Sequence, residues 1–222
     1  MHAPNDEITF AFDFVDPGSY LVAELLHRWL PGGLAEGVPP VHLLPLELNT
    51  PPDPLISPSE EGWRAMHEAL AEEARLFEIP FSPPAFVPWT RKAHELAMHA
   101  EEGETREGDH PDGDTARPIP MHLRLFRARF VEGRDLGRVD VLVEVADEAG
   151  LDPAEVRTVL GVDRFEPAVR EARSEAMEME IRGVPTLLHG SRRMEGFRTA
   201  EEMKTFLREG GVRTTDVTQR SE

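Results

Sequence analysis

The turn Asp16-Pro17-Gly18-Ser19 holds the residues whose types and spacing point most directly to chemistry. It follows an apolar run at 8–15 and precedes a stretch with helical periodicity, so we predict a strand, a tight turn and a helix start. This layout presents side chains at a helix N-terminus, where free backbone N–H groups and the helix dipole favour anions. Asp16 is therefore a candidate general base or metal ligand, and Ser19 adds a hydroxyl in the first helical turn.

Each of these two side chains also has a purely structural interpretation. Asp16 can cap the helix by accepting backbone hydrogen bonds, which is worth about 1 kcal/mol. The same helix dipole predicts a lowered pKa for Asp16, and a carboxylate with a low pKa is a poor base near neutral pH. The hydroxyl of Ser19 can be satisfied inside the first helical turn. Both interpretations stay open at this point.

The elements around the turn follow from apolar periodicity. A second apolar strand is predicted at 41–48, after a helix that Pro31-Gly32-Gly33 ends, and this gives a β-α-β opening with a right-handed crossover. From 51 to 179 the pattern is helical, with an acidic exposed loop at 101–117. The end of the chain returns to two short strands and a closing helix, followed by a tail at 211–222.

The composition excludes several classes of chemistry. The 222 residues include no cysteine, so this chain alone forms no disulfide, thiolate nucleophile or dithiol redox pair. The net charge of −18 argues against nucleic acid as a partner. No apolar run approaches the ~20 residues that span a bilayer, and the N-terminal residues lack the features of a signal peptide. We therefore expect a cytoplasmic protein with no membrane partner.

Three stretches together carry a family resemblance. Phe12-Asp13-Phe14-Val15-Asp16-Pro17-Gly18-Ser19-Tyr20-Leu21 is similar to the active-site turn D-[FY]-x-C-P-x-C-[YF]-L of the DsbA-like family, and Gly183-Val184-Pro185-Thr186 is similar to its cis-proline loop. The helical stretches at 90–96 and 125–152 resemble those of the FrnE-type branch. The chain also resembles the related glutathione-using branch of kappa-class transferases and hydroxychromene-carboxylate isomerases.

The resemblance implies an α/β thioredoxin-like fold, β-α-β … β-β-α, with a large all-helical insertion domain. Residues 1–50 and 180–210 would form the thioredoxin-like domain, and 51–179 the insertion. It also implies ligand contacts at Pro17, Gly18, Val184 and Pro185, because the backbone before the cis-proline binds extended peptides or glutathione in such folds. Asp16 and Ser19 stand where the family has its cysteines, so its dithiol activity cannot be carried over.

Two functions remain as expectations. The first is a redox-inactive module that binds an extended peptide or a protein partner, or acts as a chaperone, without cofactor or metal. The alternative is a glutathione-dependent isomerase or transferase in which Ser19 contacts the ligand. In that branch a serine that stabilises the thiolate belongs at the position of Asp16, and a carboxylate there would repel a thiolate.

Overall fold

A computed structural model of the chain describes residues 7–30, 32, 39–51, 54–55, 57, 61–104 and 119–214. Four strands form one sheet in the order β2-β1-β3-β4. The strands are β1 (Ile8–Phe12), β2 (Val41–Pro45), β3 (Thr186–His189) and β4 (Arg192–Glu195). Strand β2 is parallel to β1, whereas β3 is antiparallel to both β1 and β4. The predicted β-α-β … β-β-α order is confirmed.

The described residues also form eight helices. These are α1 (Pro17–Trp29), α2 (Glu61–Leu76), α3 (Arg91–Glu104), α4 (Met121–Phe130), α5 (Val139–Glu148), α6 (Pro153–Gly161), α7 (Glu166–Glu178) and α8 (Ala200–Glu209). Several begin where the sequence supplies a cap: the side chain of Asp152 accepts from the N–H of Ala154, and that of Thr199 accepts from the N–H of Glu202.

One boundary and one helix face differ from the sequence predictions. Helix α3 continues through Glu104, so the acidic loop does not begin at 101, and residues 105–118 lie outside the described part. In α2, the spacing of Trp63, Met66, Leu70 and Leu76 predicts an apolar stripe toward the core. Met66 and Leu76 are exposed instead, whereas His67 is buried. Apolar periodicity alone missed this face because it does not count a histidine as a core residue. Of the predicted tail, 215–222 also lies outside the described residues.

We define α2–α7 as the helical segment. One hydrophobic core joins the sheet to α2–α6, and a second, smaller cluster packs α7 against β1 and β2. Phe12 of β1 packs against Phe126 of α4, with ring centroids 5.7 Å apart. Tyr20 of α1 stacks on Phe130 of α4 at 5.3 Å. The division of the chain into a thioredoxin-like domain and an insertion domain stays a prediction, and the two parts share their interior.

A buried ion pair adds a polar connection between α1 and α4. The carboxylate of Glu24 is fully buried and accepts from Nε of Arg127 at 2.6 Å and from Nη2 at 3.0 Å. Substituting Glu24→Ala leaves the half-buried guanidinium of Arg127 without its partner, which should lower the free energy of unfolding by about 3 kcal/mol. For a chain of this size we expect Tm to fall by roughly 6–12 °C.

The matched control for this prediction is Glu72→Ala. Glu72 pairs with Arg75 on the exposed face of α2, so its loss should leave the denaturation midpoint unchanged. Urea unfolding of both variants checks the prediction. Equal midpoints for the Glu24 and Glu72 variants would contradict a stabilising role of the buried pair.

Candidate functional site

Asp16 caps helix α1. Its backbone is extended, its Oδ2 accepts the N–H of Ser19 at 2.5 Å, and Pro17 follows at the first helical position. The helix begins here because proline needs no N–H partner at this position and aspartate supplies an acceptor for the free N–H groups. The structural interpretation of Asp16 as an N-cap is therefore confirmed.

The turn and the proline loop meet at Gly18. The Val184–Pro185 peptide bond is cis, as the resemblance implied. A β-carbon on Gly18 would lie 3.1 Å from Cδ of Pro185 and 3.4 Å from Cβ of Phe197, so any larger residue would force these groups apart. The structure thus brings Asp16 and Gly18 together with Pro185, which lies more than 160 positions further along the sequence.

The pKa of Asp16 differs from the sequence prediction. Burial raises it from the usual 3.8 to about 7, the charge of Asp13 adds to the increase, and contacts with Ser19 and the backbone of Gly18 oppose it. The expectation of a lowered pKa is wrong because loss of hydration outweighs the favourable capping interactions. Near neutral pH, Asp16 can therefore exist with or without its proton.

Ser19 is buried, and its hydroxyl makes no hydrogen bond of ordinary geometry within the described ranges. The same hydroxyl lies near the carboxyl of Asp16 and lowers the pKa of that group, so its satisfaction by the first helical turn stays a prediction. Pro17 and Gly18 are buried as well, and only 8% of Asp16 is exposed. The sequence does not indicate whether the turn is exposed. In the structure it is buried.

Val184, which precedes the cis-proline, is a partly exposed residue of the site. On one side, the carbonyl of Gly183 accepts from the hydroxyl of Thr186 at 2.8 Å. On the other, the carbonyl of Pro185 accepts from the N–H of Gly196 at 2.7 Å. The N–H and C=O of Val184 have no hydrogen-bond partner in the described chain, and the residue is half-buried. They can bind one residue of an extended ligand.

A buried polar pair beneath the turn escaped the sequence analysis. Asp13 accepts the N–H of Leu48 at 2.7 Å and lies 3.2 Å from Nε2 of His94. His122 lies near His94, and burial, with a smaller contribution from His94, lowers the pKa of His122 to about 3. The aspartate in the turn motif was the available signal, but its histidine partner lies 81 positions away.

The described residues offer no metal site, and their cleft lies away from the turn. Within the described ranges, no three His, Asp or Glu side chains are arranged to hold a metal ion. A cleft of about 400 Å³ lies between β2, α3 and α7, and neither the turn nor the proline loop lines it. No helix in the part of the chain described here is long and apolar enough to cross a membrane.

The sheet order, the capped helix and the adjoining proline loop define a thioredoxin-like protein of the DsbA type. The family model described as the DSBA-like thioredoxin domain matches residues 7–208, and the chain belongs to this family. It is 28% identical over 156 residues to the uncharacterized protein YwbO of Bacillus subtilis, covering 68% of this chain and 72% of that protein.

Two solved structures extend the comparison. A 2-hydroxychromene-2-carboxylate isomerase superposes with a TM-score of 0.67 at 20% identity, covering 92% of this chain and 93% of its own. The cytosolic disulfide reductase DsbM of Pseudomonas aeruginosa, solved with GSH, gives 0.58 at 20% identity, covering 91% and 98%. At these identities the likeness shows the fold. The family relationship holds although this chain has no cysteine.

Proposed function

We propose that this protein is a redox-inactive member of the DsbA-like family that binds extended peptide segments of a partner, in a chaperone-like role. The observation that carries the proposal is that the N–H and C=O of Val184 have no partner among the described residues and lie beside a capped helix without cysteine. An extended peptide would pair with this residue as it would with the edge of a sheet. The ligand would be recognised by its backbone, so it needs no thiol.

A titration followed by amide NMR tests this proposal. S-methylglutathione, an extended peptide without a free thiol, should shift the Val184 amide signal in a saturable way. Reduced glutathione should bind equally well, because the proposed contact involves only backbone groups. The substitution Val184→Pro removes the N–H donor and should abolish binding, seen as the loss of ligand-induced shifts at neighbouring amides such as that of Thr186.

Gly183→Ala is the matched control. A β-carbon at this position meets no atom within 4 Å, and the N–H of Val184 is untouched, so binding should persist. No saturable shift at Val184 with either ligand would contradict the proposal. Loss of binding in the Gly183 variant alone would show that the contact depends on shape at the loop instead of the donor at Val184.

One observation favours a second function, that of a glutathione-dependent isomerase or transferase. The raised pKa of Asp16 allows a neutral carboxyl near pH 7, and a neutral carboxyl can donate a hydrogen bond to a thiolate instead of repelling it. The repulsion between an ionised Asp16 and a thiolate would then be absent. Asp16 is therefore the group to test, together with Ser19 in the first turn of α1.

The same pair of ligands separates the two functions. Under the second, reduced glutathione should bind and S-methylglutathione should not, because the methyl group removes the thiolate that Asp16 would stabilise. Asp16→Ala should then weaken binding of reduced glutathione. Equal binding of both ligands would exclude a role for the thiolate.

A further inference from the structure

Arg129 is a buried cation whose donors are mostly unused. It lies in the last turn of α4 with 1% of its surface exposed. Its Nη2 donates to the carbonyl of Phe86, while Nε and Nη1 have no partner among the described residues. A guanidinium carries one N–H on Nε and two on Nη1, so three buried donors lack an acceptor. Buried donors are nearly always satisfied, so this group requires an explanation.

No carboxylate pairs with this guanidinium in the described chain. Asp135 acts on Arg129 only through its charge, and its Oδ1 accepts the N–H of Gly137 at 3.0 Å. The ring of Phe86 lies 4.6 Å from Cζ of Arg129 and compensates part of the charge. Burial lowers the pKa of Arg129 to about 10, which still leaves the group charged at neutral pH.

A second unpaired nitrogen lies close enough for the charge of Arg129 to act on it. His67 of α2 is buried, and its Nδ1 lies 2.8 Å from the carbonyl of Trp63, which only an N–H can satisfy. Its Nε2 is buried and has no partner in the part of the chain that the structure describes. Burial, and then the charge of Arg129, lower the pKa of His67. A lowered pKa disfavours a second positive charge on His67 beside that of Arg129 at neutral pH.

We propose that Arg129 is the charged group of a buried site for a small monoanion, either a halide or the carboxylate of a small organic acid. The free N–H groups on Nε and Nη1 would donate to the anion, and the aromatic rings around them would exclude water. A single charge is expected because the site offers one guanidinium, so a dianion would leave one negative charge buried and unpaired.

Thermal unfolding in formate, chloride or sulfate at equal ionic strength tests the site. Wild-type Tm should rise and saturate with formate or chloride, by roughly 3–6 °C at ten times the dissociation constant. The substitution Arg129→Met keeps apolar volume without charge and should abolish this saturable increase. Sulfate should shift both proteins equally, through its general exclusion from protein surfaces.

Two further variants sharpen the result. Arg138→Met removes an exposed arginine that pairs with Asp140 and should leave the formate effect intact. Arg129→Lys keeps the positive charge and should retain part of the increase in Tm caused by formate. Whether formate or chloride saturates at the lower concentration separates a carboxylate ligand from a halide.

A crystal of the wild-type protein grown with bromide gives a readout that needs no variant. Anomalous density beside Nε or Nη1 of Arg129 is the expected result. Density for water alone at this place would overturn the proposal. An equal response of the wild type and the Arg129→Met variant to formate would overturn it as well.

Discussion

The double variant Asp16→Cys, Ser19→Cys should catalyse the reduction of insulin by dithiothreitol, whereas the wild-type chain should remain at the uncatalysed rate. The wild type has no thiol to exchange. The variant would place two cysteines at the start of α1, around Pro17 and beside Pro185. A helix N-terminus favours the thiolate, whereas burial of the turn opposes it, as it does for the carboxylate of Asp16, so the rate should rise with pH.

The single variants are the controls for this gain of activity. Neither Asp16→Cys nor Ser19→Cys can form a disulfide within one chain, so each should stay near background. Because the turn is buried, formation of the internal disulfide, seen as a loss of two hydrogens in the intact mass, provides a readout independent of insulin access. A folded double variant that forms no such disulfide would show that the turn has lost the geometry of the family's site.

The substitution Asp16→Asn should change how stability depends on pH. The folded-state pKa of Asp16, about 7, lies above its usual 3.8, so between these values the folded state binds more protons than the unfolded state. Stability from this group is therefore present at acid pH and is lost as the pH rises toward 7. Relative to the variant, the wild type should gain on the order of 4 kcal/mol as the pH falls from 7 to 4.

Urea unfolding of both proteins across this pH range measures the difference directly. Asparagine keeps an oxygen that can accept the N–H of Ser19, and Asp13 with His94 is unchanged, so their contributions cancel. Asp152→Asn makes the same change at the exposed cap of α6, where asparagine can still accept the N–H of Ala154, and should have a small effect at both pH 5 and pH 8. A wild-type advantage that grows with rising pH would mean that Asp16 is ionised far below pH 7.

The fold could be predicted because its signals are local and mutually consistent. Periodicity located the strands and helices, and two short motifs, around Asp16 and Pro185, fixed their order. The site was predicted less well. The pKa of Asp16 depends on what covers the turn, and burial by distant segments has no local signal. The contact between Asp13 and His94 joins residues from separate elements, and polar residues such as His67 and Arg129 are buried where periodicity expects only apolar ones.

The continuous interior shared by the sheet and the helical segment has a consequence for how the molecule opens. Phe12, Tyr20 and Glu24 on one side make their contacts with α4 on the other, so neither side keeps a complete interior when the other is lost. The two parts should therefore melt as one cooperative unit. Slowly exchanging amides in β1 and in α4 should share a single free energy of opening, and excision of α2–α7 should leave an insoluble remnant.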